Sequence, residues 1–322
     1  MADSTSPFAD FQDSPIVAQA EKEVVVNQYS YTERDVILYN LGIGATETQL
    51  QWTYEGAEDF SALPTFGVIP QFSASSSLSL DWLPDFDLTK LLHGEQYLSI
   101  KAPIPTNGDL VNSARILEVL DKGNAAAVTI IVETREKHSE EVIFENQSTV
   151  FVRGSGGFGG RRTGNDRGSA TAPNTPPERA PDAIIEEKTH TSQAALYRLN
   201  GDINPLHVGN LLYSHMTDES LTLHDTQILP EFAAIGGFDK PILHGLCSMG
   251  IAGKHVLQAF GPFQDIKVRF SGIVYPGETL VTEMWKEGSK VVFITKVQER
   301  DAVVLSSAGA SLTKKAATGA KL

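Results

Sequence analysis

The sequence predicts an α+β fold made by duplicating one unit, a helix with a run of antiparallel strands. Three observations predict it. Short motifs recur in the same order in both halves: Leu92-His93-Gly94 with Leu243-His244-Gly245, then Asn107-Gly108-Asp109-Leu110 with Pro276-Gly277-Glu278-Thr279-Leu280, then Asp121-Lys122-Gly123 with Lys286-Glu287-Gly288. Each half carries a helical stretch and several strand-like runs, the mixture of an α+β architecture. Between them, Arg153 to Gly168 and Pro173 to Pro181 shift to Gly, Arg, Asn and Pro, the composition of a linker.

Taken in order, residues 1–20 read as a flexible tail and residues 21–152 as the first unit. Thr32 followed by Asp35 is a capping box opening a helix that runs through Val36, Ile37, Tyr39 and Asn40 to a stop at Gly42. Leu63-Pro64-Thr65-Phe66-Gly67 is a turn-rich connector, and Leu91 to Leu98 leads into strands. Ala126–Glu133 and Glu141–Val152 are apolar β runs around a polar turn at Arg135–Ser139, a hairpin. Residues 153–181 form the linker and residues 182–313 the second unit. There, Thr191–Leu199 is a short helix. Leu243–Phe260 is a long apolar helix whose small residues (Gly245, Ser248, Gly250, Ala252, Gly253) are expected to let it sit tightly on a sheet. Residues 265–312 alternate as strands, with turns at Gly272, Pro276-Gly277 and Gly288, and residues 314–322 are a polar tail.

The 322 residues suit about two domains of ordinary size. Hydrophobic residues at 41% supply a sizeable core. The net charge of −14 argues against nucleic acid and anionic membranes as partners, but leaves room for an anionic substrate met by a local basic patch. A single cysteine, Cys247, excludes an internal disulfide and a multi-cysteine metal site. No apolar run reaches the roughly 18 residues of a membrane span. Met1–Ser14 lacks the apolar stretch of a secretory signal.

The densest polar constellation is Tyr197-Arg198-Leu199-Asn200-Gly201-Asp202-Ile203-Asn204-Pro205-Leu206-His207. Asp202, Asn204 and His207 put a carboxylate, an amide and an imidazole within six residues, directly after a helix. A carboxylate and an imidazole held together can grip one water, the first taking its proton and the second orienting it. The competing reading is an Asx-Pro turn with a surface histidine. The first half lacks this loop although it has the rest of the unit, which favours the functional reading.

This stretch resembles the hydratase 2 motif of the MaoC-like enoyl-CoA hydratases, G-D-x-N-P-[LIV]-H. The resemblance extends to Gly237–Cys247 and Val274–Gly277, and in the first half to Leu63–Val68, His93–Leu98 and Gly154–Gly160; it spans roughly residues 25–313. It implies a double hot-dog fold, two helices each wrapped by an antiparallel sheet. The first unit is then expected to hold the acyl chain and CoA, and the second to do the chemistry. The implied activity is hydration of trans-2-enoyl-CoA to (3R)-3-hydroxyacyl-CoA by a hydro-lyase of peroxisomal fatty-acid β-oxidation. Asp202 and His207 would hold the catalytic water with Asn204 in support, and Gly245 would give its N–H to the thioester oxygen. Substrate contacts would fall on His93, Gly94, Lys122 and Phe270, and on Ile203, Pro205 and Leu206 within the loop. No metal and no cofactor is implied, CoA being part of the substrate. No dehydrogenase segment is read in the sequence, so the product is expected to leave for a separate enzyme.

Ala320-Lys321-Leu322 resembles the S-K-L peroxisomal address, which implies an import receptor as partner and the peroxisomal matrix as location. A homodimer and a monomer both remain open. The path from His207 to Gly245 is longer than the family needs, the excess being Val208 to Gln227. It reads either as an added loop or as retained intron sequence, since Val codons begin GT and a Gln codon can end AG. Gly154–Gly159 matches G-x-G-x-x-G after a strand, but no helix follows, which excludes a dinucleotide site. Arg161 and Arg162 read as solvated linker residues, with CoA phosphates as the alternative, and Cys247 and His244 as structural. Two other functions compete: a hot-dog acyl-CoA thioesterase and a non-catalytic acyl-CoA-binding protein.

Overall fold

The computed structural model describes residue 20, residues 24–202 and residues 241–313. Its frame is one antiparallel sheet. The first half contributes β1 (Val24–Tyr31), β2 (Leu91–Ile100), β3 (Gly108–Asp121), β4 (Ala125–Glu136) and β5 (Val142–Arg153). The second contributes β6 (Ala183–Lys188), β7 (Phe263–Phe270), β8 (Thr279–Glu287), β9 (Lys290–Val297) and β10 (Ala302–Leu312). The order is β1-β3-β4-β5-β2-β7-β10-β9-β8-β6. Adding five to each strand number of the first half and reversing the list gives the second, so the duplication read from the sequence is a duplication of topology. The halves join through β2 and β7, antiparallel from Glu95↔Arg269 to Ser99↔Asp265.

The repeat corrects one sequence equivalence. Leu92-His93-Gly94 lies on β2, the counterpart of β7, whereas Leu243-His244-Gly245 leads into a helix. The other two motif pairs do coincide, at the starts of β3 and β8 and at the turns that follow them. Among the described residues the helices are α1 (Glu33–Gly42), the single turns α2 (Leu50–Thr53) and α3 (Phe72–Ser75), the short α4 (Gln193–Tyr197) and the long α5 (Gly245–Phe260). At the start of α1 the Thr32 N–H and hydroxyl both donate to the Asp35 carboxylate at 2.8 Å, the expected cap.

Helix α5 packs against the first unit more than the small-residue stripe suggested. A Cβ on Gly250 would stand 3.0 Å from the Tyr39 hydroxyl, and one on Gly253 would stand 2.7 Å from Thr65 Cγ2. These glycines admit α1 and the 3₁₀ turn Pro64–Val68 as well as the sheet. The fully buried Tyr39, Ile43 and Phe66 therefore share one core with Leu246, Met249 and Val256 of α5. The last carbonyls of α1 have no intrahelical donor. The second half supplies donors: Gln193 Nε2 at 2.5 Å and Cys247 Sγ at 3.4 Å to Gly42 O, and Lys254 Nζ at 2.6 Å to Gly44 O just beyond. Lys254, 2% exposed, is neutralised by Glu187 of β6 at 2.7 Å, which also meets His255 at 3.2 Å. Among the described residues no long helix lies over strands β3–β5; residues 74–83 cover them instead, packing Ala74, Leu78, Leu80 and Leu83 on Ile116, Val128 and Ile130.

Candidate active site

Gly245 is the first residue of α5, with His244 as its N-cap. The N–H groups of Gly245 and Leu246 have no intrahelical acceptor. The first bonds of the turn are those of Cys247 and Ser248 to the His244 carbonyl, at 3.1 and 3.2 Å. Free amides at the positive end of the helix dipole suit an oxygen that gains negative charge. The Phe270 ring, at the end of β7, lies on this helix end: a Cβ on Gly245 would come 2.9 Å from Phe270 Cδ1.

His93 closes the other side, its ring edge-on to Phe270 with centroids 4.9 Å apart. Its Nε2–H donates to the Glu95 carbonyl at 3.1 Å. Burial pushes the imidazole down to about 4, so it is neutral near pH 7. The pairing of β2 with β5 shifts register between His93 and Glu95, which places Gly94 in a bulge. A side chain at Gly94 would overlap the Phe151 ring, and such bulges re-aim their neighbours.

Asp202 reaches the same place from the other direction. The 3₁₀ turn Arg198–Asn200 ends at Gly201, whose φ of 109° is left-handed and suits glycine. The half-buried Asp202 follows. His244 Nε2–H donates to the Asp202 carbonyl at 3.2 Å, and the Tyr197 ring packs on His244 at 5.0 Å. Burial first, then the neighbouring Tyr39, Cys247 and Asp202, raise the Tyr197 phenol well above its ordinary value, so it stays protonated. One histidine thus ties the Asp202 loop to the residue before Gly245. Ile203, Asn204, Pro205, Leu206 and His207 lie outside the described residues, as do Val208–Gln227 and Ala320-Lys321-Leu322.

Lys122 is not part of this cluster. It is exposed on the β3–β4 turn, and its Nζ donates to the Arg162 carbonyl at 2.5 Å. Arg161 is not a free linker side chain but pairs with the buried Glu118 at 3.0 Å. Cys247 is buried and its thiol is raised well above its ordinary value, chiefly by burial. Among the described residues no group of three or more His, Cys, Asp or Glu is placed to hold a metal ion. No described helix is long and apolar enough to cross a membrane.

Comparison with known proteins decides the family. A family described as MFE-2 hydratase 2 N-terminal domain matches residues 29–154, and one described as MaoC like domain matches residues 223–308. The probable enoyl-CoA hydratase 2 of Dictyostelium discoideum is 40% identical, over 88% of this chain and 92% of its own length. The chain belongs to the enoyl-CoA hydratase 2 family. Its fold is the MaoC-like double hot dog: a MaoC-like dehydratase from Phytophthora capsici superposes with a TM-score of 0.79 at 32% identity, over 94% of this chain and 99% of that one. The peroxisomal hydratase-dehydrogenase-epimerase of Neurospora crassa is 53% identical over 88% of this chain, but the match spans only 30% of that longer protein. Within this hydratase 2 frame, sequence reasoning singled out Gly245 and passed over the tether made by His244. The signal available was the adjacency of His244 to Gly245, three residues after Pro241.

Proposed function

We propose that the chain is a (3R)-specific 2-enoyl-CoA hydratase, a hydro-lyase that reversibly adds water to trans-2-enoyl-CoA in peroxisomal fatty-acid β-oxidation. The observation that carries the reading is the His244 tether, which joins the Asp202 loop to the free amides at the start of α5. In the proposed reaction the thioester oxygen lies on the Gly245 N–H, which stabilises the enolate-like charge that develops as water adds to C3. Asp202 takes one proton of the water as the hydroxyl bonds to C3, His207 orients that water with Asn204 in support, and the captured proton is delivered to C2. Phe270 and the neutral His93 exclude solvent beside the thioester. Bound CoA supplies the thioester and its phosphates, and no other group is needed.

The alternative is thioester hydrolysis at the same site. The test is loss of the enoyl-thioester absorbance with free thiol followed in parallel. Loss of absorbance without thiol supports hydration; thiol release supports a thioesterase, and no change supports a binding protein. We also propose the peroxisomal matrix as the location, read through Ala320-Lys321-Leu322 by an import receptor. The name of the Neurospora relative, peroxisomal, agrees with that. Removing the tripeptide from a fluorescent fusion should leave the protein in the cytosol.

A further inference from the structure

We propose that Asp121 is a positioning residue for the CoA end of the substrate, holding the Gly-rich segment so that Lys122 and Arg162 form one basic lip. The inference rests on the acyl-CoA reading above. Asp121 ends β3 and is 6% exposed. Its carboxylate accepts backbone N–H groups from Gly123 at 2.8 Å, Gly157 at 2.9 Å and Gly159 at 2.8 Å. Its own N–H donates to the Arg161 carbonyl at 2.8 Å. The amides of Gly157 and Gly123, foremost, hold the carboxyl below its usual range. The segment that in sequence resembled a phosphate loop is thus wrapped around an internal anion, the geometry of a backbone nest.

The nest shapes the surface next to it. A Cβ on Gly156 would overlap the Gly123 carbonyl, so the segment lies directly on the Lys122-Gly123 turn. Three residues before Asp121, Glu118 fixes the next stretch: it accepts from the Asn165 N–H at 2.7 Å and pairs with Arg161 at 3.0 Å and Arg167 at 2.7 Å. Residues 154–167 are therefore a pinned strap. Arg162 is exposed on it and Lys122 on the turn beside it, joined through Lys122 Nζ and the Arg162 carbonyl, and neither has a carboxylate within ion-pair distance among the described residues. In a chain of net charge −14 such a pair is a local exception.

The lip is on the same end of the sheet as the site. Asp121 pairs with Ala126, Ala126 with Val152, and Val152 with Leu91, two residues from His93. Three strand spacings separate Asp121 from Leu91, about 14 Å. A pantetheine arm is long on that scale, so a thioester bound on the His93 side of the sheet would carry its phosphates toward Lys122 and Arg162.

The experiment compares an enoyl-CoA with the matching enoyl-pantetheine, which lacks the phosphates, in the full chain and in Asp121→Asn. The amide puts an N–H against the nest donors and removes the charge. We expect KM for the enoyl-CoA to rise at least about tenfold, the scale of one lost charge-assisted hydrogen bond, with kcat within about twofold and kinetics on the pantetheine thioester unchanged. Gly156→Ala, which lifts the strap from the turn and keeps Asp121, should give the same split and serves if Asp121→Asn does not fold. Equal losses on both thioesters would mean a structural staple and would overturn the proposal, as would no change on either. A parent enzyme that hydrates neither thioester would overturn the proposed function, and this inference with it.

Discussion

Replacing Gly245 with alanine adds one methyl directly against the Phe270 ring. The new Cβ would stand 2.9 Å from Phe270 Cδ1 and 3.0 Å from Cε1. Carbon atoms rest about 3.5–4.0 Å apart, so the ring or the helix end must give by roughly 0.6–1 Å. The ring is backed by His93 at 4.9 Å, so the start of α5 yields at least in part. A shift of that size takes an N–H from about 2.9 Å to beyond 3.5 Å from its acceptor, outside hydrogen-bonding range. Loss of one oxyanion donor costs about 10²–10³ in kcat, or about 2.7–4 kcal/mol of barrier. The overpacking itself should cost about 1–3 kcal/mol of stability. Steady-state hydration kinetics and thermal unfolding separate the two effects: kcat should fall about a hundredfold in a folded protein, with KM changed little. Phe270→Leu in the Gly245→Ala background makes room for the methyl and should return about tenfold of kcat, part of that donor's worth. A folded Gly245→Ala enzyme with parental kcat, or a loss confined to KM, would refute the assignment.

Asp202→Asn should lower kcat by about 10²–10⁴, the range of a lost general base, with unfolding midpoints unchanged. Glu187→Gln should destabilise the fold by about 3 kcal/mol in urea titrations at pH 7, because it leaves Lys254 buried without its counter-charge; Lys254→Met in the same background should recover most of this. Burial acts to raise the Glu187 carboxyl, but His255 and Lys254 outweigh it and hold it below its ordinary value. The advantage of the parent over Glu187→Gln is therefore full above about pH 4.3 and is lost as pH falls through the lower folded value. His93 runs the other way: it resists protonation when folded, while the unfolded chain takes up a proton below about 6.5. The parent should thus lose stability relative to His93→Gln between about pH 6.5 and about 4, and equal pH slopes for the two would contradict the neutral imidazole.

Local signals carried far in this sequence. The Thr32/Asp35 box, the hairpin around Arg135–Ser139 and the duplication are decided by short-range chemistry and by recurrence, and the structure has all three. Where tertiary partners decide, the reading went astray. Leu92-His93-Gly94 looks like Leu243-His244-Gly245, yet one lies in a strand bulge and the other starts a helix, because the same three side chains satisfy either backbone. The small residues of α5 pointed to a sheet, but α1 and Thr65 occupy much of that face, and periodicity does not say which neighbour a flat face meets. The Gly/Arg-rich segment has the composition of a free linker. What fixes it is a pair of carboxylates, Glu118 and Asp121, that lie on a strand tens of residues earlier. The tie between His244 and Asp202 spans 42 residues, and no local pattern records it.

The most direct test of the central claim is the configuration of the product. The full chain is incubated with trans-2-decenoyl-CoA, and the hydroxyacyl-CoA formed is resolved by chiral chromatography, with free CoA quantified in the same sample. A site in which Asp202 presents water to one face of an enoyl thioester held on Gly245 should give (3R)-3-hydroxydecanoyl-CoA and no excess free CoA. A (3S) product, or stoichiometric release of CoA, would contradict it.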